Sequence, residues 1–174
     1  MPSVPRSTRW FLLAAAVVIL DYVTKIAVLA AFAPGEGRAL TPFFNLVLVF
    51  NKGAAFSFLA TAQGWQTMFF AAIAVVASIV ISFLIIKNEN KTLFCAGLAL
   101  ILGGAIGNLY DRIVYGHVVD FLDFHIAGWH WPAFNVADSA ITLGAGILIA
   151  ESATLKAGKC QPTAWKSRKS TTWP

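Results

Sequence analysis

The sequence predicts a membrane protein built as four transmembrane α-helices with a small β-layer and a short interfacial helix or loop on the outer side. Three observations predict it. Apolar stretches at about 10–32, 65–86, 93–114 and 134–154 are each long enough for a hydrocarbon core about 30 Å thick. The 174-residue chain is 58% hydrophobic and 12% charged, against about 45–50% and about 25% in soluble domains. Its cations are also sorted by loop. Arg6 and Arg9 precede the first stretch, Lys87 and Lys91 flank the link between the second and third, and Lys156, Lys159, Lys166, Arg168 and Lys169 follow the fourth. This positive-inside pattern puts both termini in the cytoplasm and both long loops outside.

A net charge of +5 does not imply nucleic acid here, because the basic residues lie at span ends and in a tail without an aromatic–glycine module. Residues 1–155 read as a single membrane-embedded domain and 156–174 as a basic cytoplasmic tail, disordered from about Lys156. Cys95 lies in a span and Cys160 in the tail, so no disulfide is expected.

Each element has its own grounds. The first stretch is too long for a signal-peptide core and is interrupted by Asp21 and Lys25, so it is read as a retained helix. Phe43–Phe50 is too short to span, is rich in Phe and Val, and ends in Asn51-Lys52-Gly53. It reads as a strand and turn in an outer β-region over about 38–59, with Ala54–Phe58 as a return strand. The second span carries no ionisable residue and reads as scaffold. The third carries Gly103 and Gly107 on one face, and the fourth Ala140, Gly144 and Gly146, all suited to close helix contacts. Gly116–Pro132 mixes Trp129 and Trp131 with acids and histidines, as at a membrane boundary.

Charged groups in lipid cost about 2.5–3.5 kcal/mol each on insertion scales and usually serve a function. A rise of about 1.5 Å per residue puts Asp21 near mid-membrane and Lys25 one turn further out, paired on one face. Asn108, Asp111 and Arg112 fall near the outer end of span three, and Asn135 and Asp138 in the first turns of span four. Asn51 and Asp120 belong to the outer loops, so all these groups can meet in the outer third of the bilayer. Asp21–Lys25 reads as a structural clamp, and Arg112 as the partner that keeps Asp111 ionised. Asp120 and Asp138 have no cationic partner in sequence. Two carboxylates sharing a site split their pKa values and can hold a water between them, one removing its proton and the other donating.

The blocks Asp21-Tyr22-Val23-Thr24-Lys25, Asn51-Lys52-Gly53-Ala54-Ala55-Phe56-Ser57, Gly103 to Arg112, Gly116 to Phe121 and Phe134 to Ser139 occur in this order. Together they resemble the bacterial lipoprotein signal peptidases (signal peptidase II), over about Arg9 to Glu151. The resemblance implies four spans with an extracytoplasmic β-cradle and an outer helix. It implies an aspartic endopeptidase of the bacterial inner membrane that cuts diacylglyceryl-modified prolipoproteins just before the lipidated cysteine. It implies Asp120 and Asp138 as the catalytic pair and Asn51, Gly53, Asn108, Arg112, Asn135 and Ala137 as substrate-binding or site-shaping residues. Asp21, Lys25 and Asp111 become polar support. The expected partners are prolipoproteins and membrane lipids, not nucleic acid, and the expected state is a monomer without cofactor or metal. His117 and Asp120, with His125 and His130, lack zinc-ligand spacing. The alternative function is a small proton- or ion-coupled transporter, since intramembrane acids and lysines also form proton relays.

Overall fold

The computed structural model describes residues 5–53 and 65–159. In chain order the elements are α1 (Thr8–Ala31), β1 (Gly37–Thr41), β2 (Phe44–Asn51), α2 (Trp65–Lys87), α3 (Thr92–Val114), β3 (Val118–Ile126), β4 (Trp129–His130) and α4 (Val136–Lys159). All four helices are long and apolar enough to cross a membrane.

The third span is the hub, packed against α1, α2 and α4. Glycine makes this possible, because backbones approach where no Cβ intervenes. A Cβ at Gly103 would lie 2.7 Å from the Ala14 carbonyl oxygen of α1. One at Gly97 would lie 2.9 Å from the Gly144 carbonyl oxygen of α4, and Gly104 sits directly under the Ala137 carbonyl. Gly146, grouped with these on sequence, meets nothing within 4 Å and takes no part. α2 is apolar on every side and buries only Gln66, Ile81 and Ile85, as expected of a helix surrounded by lipid. At the end remote from the sheet the Ser7 amide donates to Glu89 Oε2 (2.9 Å) and Arg6 to Asn90 Oδ1 (2.8 Å). These bonds hold the N-terminus against the α2–α3 link.

The sheet is antiparallel throughout, in the order β1-β2-β3-β4. β2 begins at Phe44 as its composition suggests, but its hairpin partner is β1, which precedes it. The return strand expected at Ala54–Phe58 lies outside the described residues, as do Cys160 and the tail beyond Lys159. The segment read as an interfacial helix or loop is instead β3 and β4. Val118 and Val119 suit a strand, and the free edge of β2 pairs with it, Asn51 opposite Val118 and Val49 opposite Asp120. The Ala127–Gly128 connection has both residues at positive φ (50° and 82°), the requirement of a tight two-residue hairpin. An apolar cluster of Val28, Leu48, Val119 and Phe121 fastens the sheet to the C-terminal end of α1.

Two boundaries differ from the sequence reading. α4 starts at Val136, because Asn135 caps it from outside the helix. It runs on to Lys159, because Leu155-Lys156-Ala157 are helix formers; the tail expected from Lys156 therefore begins as helix.

Gly104→Val is expected to force α3 off α4 and abolish recovery of monodisperse protein in detergent. Gly146→Val is expected to melt within a few degrees of the unmodified protein, measured by thermal unfolding in the same detergent.

Candidate active site

Four elements deliver polar groups to one place at the sheet-bearing end of the bundle. The first is the start of α4. The Asn135 side chain accepts from the Asp138 amide (2.9 Å), and Asp138 Oδ2 accepts from the Asn135 amide (3.3 Å). This reciprocal capping pair fixes Asp138 in the first turn of α4. The second is β3, which carries Asp120, 2% exposed. The third is the end of β2, where Asn51 Nδ2 donates to Asp120 Oδ2 at 3.0 Å. The fourth is α3, whose Asn108 Nδ2 donates to Asp138 Oδ1 at 2.8 Å.

Asn135 joins the two aspartates. Besides capping Asp138, it donates through Nδ2 to Asp120 Oδ1 at 2.7 Å. The amide orientations follow from the donors around them. The Gly53 amide donates to Asn51 Oδ1 (2.9 Å), so the NH2 of Asn51 must face Asp120. The Lys25 ammonium, which can only donate, lies 3.2 Å from Asn108 Oδ1, so the NH2 of Asn108 must face Asp138. Gly53 also explains itself. Its φ is +124°, and a Cβ there would stand 2.9 Å from the Phe70 ring.

Behind these groups lies a buried charged trio. Lys25 Nζ is 2.7 Å from Asp21 Oδ2 and 2.8 Å from Asp111 Oδ2. The expected Asp21–Lys25 pair is present. The expected Asp111–Arg112 pair is not: adjacent residues on a helix point about 100° apart, so Asp111 turns to Lys25 while Arg112 points elsewhere. Arg112 Nη1 donates to the Asn108 carbonyl (3.1 Å), its guanidinium lies 5.5 Å from the Phe70 ring centre, and its buried Nε has no hydrogen-bond partner among the described residues. Ala137, fully buried, offers its backbone N–H rather than its side chain, donating to Asp21 Oδ1 at 2.8 Å.

Burial raises the Asp120 carboxyl above its ordinary value, and the nearby Asp138 charge raises it further. The Asn51 and Asn135 hydrogen bonds and the Lys25 charge oppose this, and the net value is about 7. Asp120 therefore keeps a proton in conditions where an exposed aspartate would have lost it.

Sequence reasoning passed over three groups. Phe70, on a helix read as scaffold, supports both Gly53 and Arg112; nothing in its type signals that. The Val119 backbone N–H donates to Asp111 Oδ2 (3.0 Å), which side-chain reading cannot see. Asp123 forms a satellite outside the site, bonded to Asn45 Nδ2 (2.7 Å) and His130 Nδ1 (2.9 Å). Burial alone would raise its pKa, but these two bonds outweigh burial and hold it below the usual carboxylate range. His117 packs at a tilt of 42° on Phe50, and His125 stacks on His130.

Comparison with known families bears directly on this constellation. The model of Signal peptidase (SPase) II matches residues 13–154, a range that holds every site residue named above. The chain belongs to the signal peptidase II family. A lipoprotein signal peptidase of Paraburkholderia phymatum is 57% identical over 140 residues, covering 80% of this chain and 84% of that one. One of a Janthinobacterium species is 59% identical over 140 residues, covering 80% and 85%. A solved structure described as a bacterial membrane enzyme superposes with a TM-score of 0.78 at 32% identity, covering 90% of this chain and 94% of that one. Membership of signal peptidase II makes the chain a peptidase, and with its four spans a multi-pass bacterial membrane protein. The transporter reading falls with that.

In this signal peptidase II protein Asn135 has two separable duties. Asn135→Ala is expected to cost about 1–2 kcal/mol from the lost cap and to lower peptide cleavage at least about tenfold. Asn135→Ser, which caps but cannot reach Asp120, is expected to recover the melting temperature and not the cleavage rate.

Proposed function

We propose that the protein removes the signal peptide from diacylglyceryl-modified prolipoproteins, cutting just before the lipidated cysteine, with Asp120 and Asp138 activating one water. Family membership supports the substrate class. The joining of both carboxylates through the single residue Asn135, whose side-chain NH2 donates to Asp120 and whose backbone N–H donates to Asp138, is the observation that carries the two-aspartate reading.

The roles divide by environment. Asp138 accepts from Asn108 and from the Asn135 amide, an arrangement suited to a base. It takes a proton from the water as the oxygen attacks the carbonyl carbon before the cysteine. Asp120, holding a proton to about pH 7, donates it to the carbonyl oxygen. As the C–N bond breaks, the proton held on Asp138 passes to the departing cysteine amine, and Asp120 recovers a proton from a hydroxyl of the collapsing gem-diol, which leaves the carboxylic acid. The buried Arg112 Nε, without a hydrogen-bond partner among the described residues, suits a substrate carbonyl. The basic residues at the opposite end of the helices support cytoplasmic termini and a site on the periplasmic side. The lipid chains have an apolar outer surface available in Phe43, Phe124, Trp129, Trp131 and Phe134, which line one groove.

Purified Asp120→Asn and Asp138→Asn proteins are each expected to lose about 10²–10⁴-fold in cleavage of a lipidated precursor while melting as cooperatively as the unmodified protein. Near-normal cleavage by either would refute the pair.

The pH dependence has a definite sign. Asp120 must be protonated to donate, so kcat/KM is expected to fall as pH rises through about 7. Asn51→Leu removes a donor that favours the ionised form, and is expected to move that limb to higher pH. The stability effect runs the same way. The folded protein binds a proton at Asp120 that the unfolded chain releases near pH 3.9, so this residue costs nothing below that pH and progressively more up to about 7.

A further inference from the structure

The two aspartates sit on different elements, a strand and a helix, yet the backbone just before each is held by the same buried cluster. Val119 precedes Asp120, and its N–H donates to Asp111. Ala137 precedes Asp138, and its N–H donates to Asp21. Lys25 lies between the two receiving carboxylates, within 2.8 Å of both, and its third contact orients Asn108 toward Asp138. Gly107 makes room for this, since a Cβ there would stand 2.6 Å from Asp21 Oδ2.

We propose that Asp21, Lys25 and Asp111 act as a positioning clamp that sets the separation and orientation of Asp120 and Asp138, beyond holding the helices together. This rests on the two-aspartate reading above. Helix association alone needs ion pairs between helices; it does not need each carboxylate to take the amide immediately before a reacting residue. The two arms differ in construction. Asp111 uses one oxygen, Oδ2, for both Lys25 and Val119. Asp21 uses both oxygens, Oδ2 for Lys25 and Oδ1 for Ala137.

That difference gives a test. An asparagine at 111 keeps a single oxygen that can take both donors. An asparagine at 21 must turn its NH2 toward either the Lys25 ammonium or the Ala137 N–H, and both only donate. Asp111→Asn is therefore expected to cleave a lipidated precursor within about threefold of the unmodified rate. Asp21→Asn is expected to lose kcat by roughly 10²-fold, the scale of a misplacement near 1 Å, with KM within about twofold. Asp111→Ala leaves Lys25 balanced against Asp21, so it is expected to fold and to lose kcat as Asp21→Asn does. Rates are taken per folded molecule, from the monodisperse fraction in detergent.

Equal damage from the two asparagine substitutions would overturn the clamp, because a purely electrostatic role treats them alike. So would unchanged kcat per folded molecule in Asp21→Asn, with only the yield reduced. Should Asp111→Ala fail to fold, the asparagine pair still decides. Asp120→Asn and Asp138→Asn, assayed alongside, separate the two claims. If they are inactive while Asp21→Asn is fast, only the clamp fails. If they remain active, the two-aspartate reading fails and takes the clamp with it.

Discussion

The sheet-bearing half of this molecule is organised around one buried ammonium. Lys25 is 2% exposed and faces two carboxylates that are no more exposed than itself. A charge removed from water is tolerated only when paired and fully hydrogen-bonded, so the contacts of Lys25 are conditions for its being there. Satisfying them draws α1 and α3 together directly. The second bonds of the two carboxylates then draw in the start of α4 and the start of β3. Polar groups that would be a liability in lipid become the means by which four elements register against each other.

A second, apolar fastening works beside it. Val28 of α1, Leu48 of β2, and Val119 and Phe121 of β3 form one cluster between sheet and helices. The irregular step in β2–β3 pairing between Leu46 and Val49 accompanies Leu48 turning inward to 2% exposure. Val119 belongs to both fastenings, its side chain in the apolar cluster and its amide on Asp111. Asp120 is thus held from its backbone as well as through its carboxylate, which is the arrangement a preorganised site requires.

What the sequence discloses here follows from range. The four helices were legible because each is a local, continuous signal: about twenty apolar residues in a row. Asp21–Lys25 was legible because four residues is one turn. Asn135 and Asp138 were visible as neighbours on a face for the same reason. The partner of Asp111 was not legible, because the adjacent Arg112 is near in sequence and far in direction, while Lys25 is remote in sequence and close in space. The strand at Val118–Ile126 was obscured by its composition. Tryptophans and histidines near a membrane boundary suit several structures, and only the open edge of β2, some seventy residues earlier, decides for a strand. Backbone donors such as Val119 and Ala137 leave no mark in residue type at all.

The packing also decides which side of the site resists disturbance. Separating α1 or α4 from α3 breaks glycine-mediated backbone contacts, and at the sheet-bearing end it breaks the bonds of the charged trio. The contacts of α2 are divided between its ends. Its buried Ile81 and Ile85 join the core of α1 and α3 at the end remote from the sheet. At the sheet end it buries Gln66, the Thr67 hydroxyl lies within 3.4 Å of the Lys52 and Gly116 carbonyl oxygens, and Phe70 lies against Gly53 and Arg112. Charge pairing and close backbone contact on the α1 and α4 sides thus keep Asp120 and Asp138 in register.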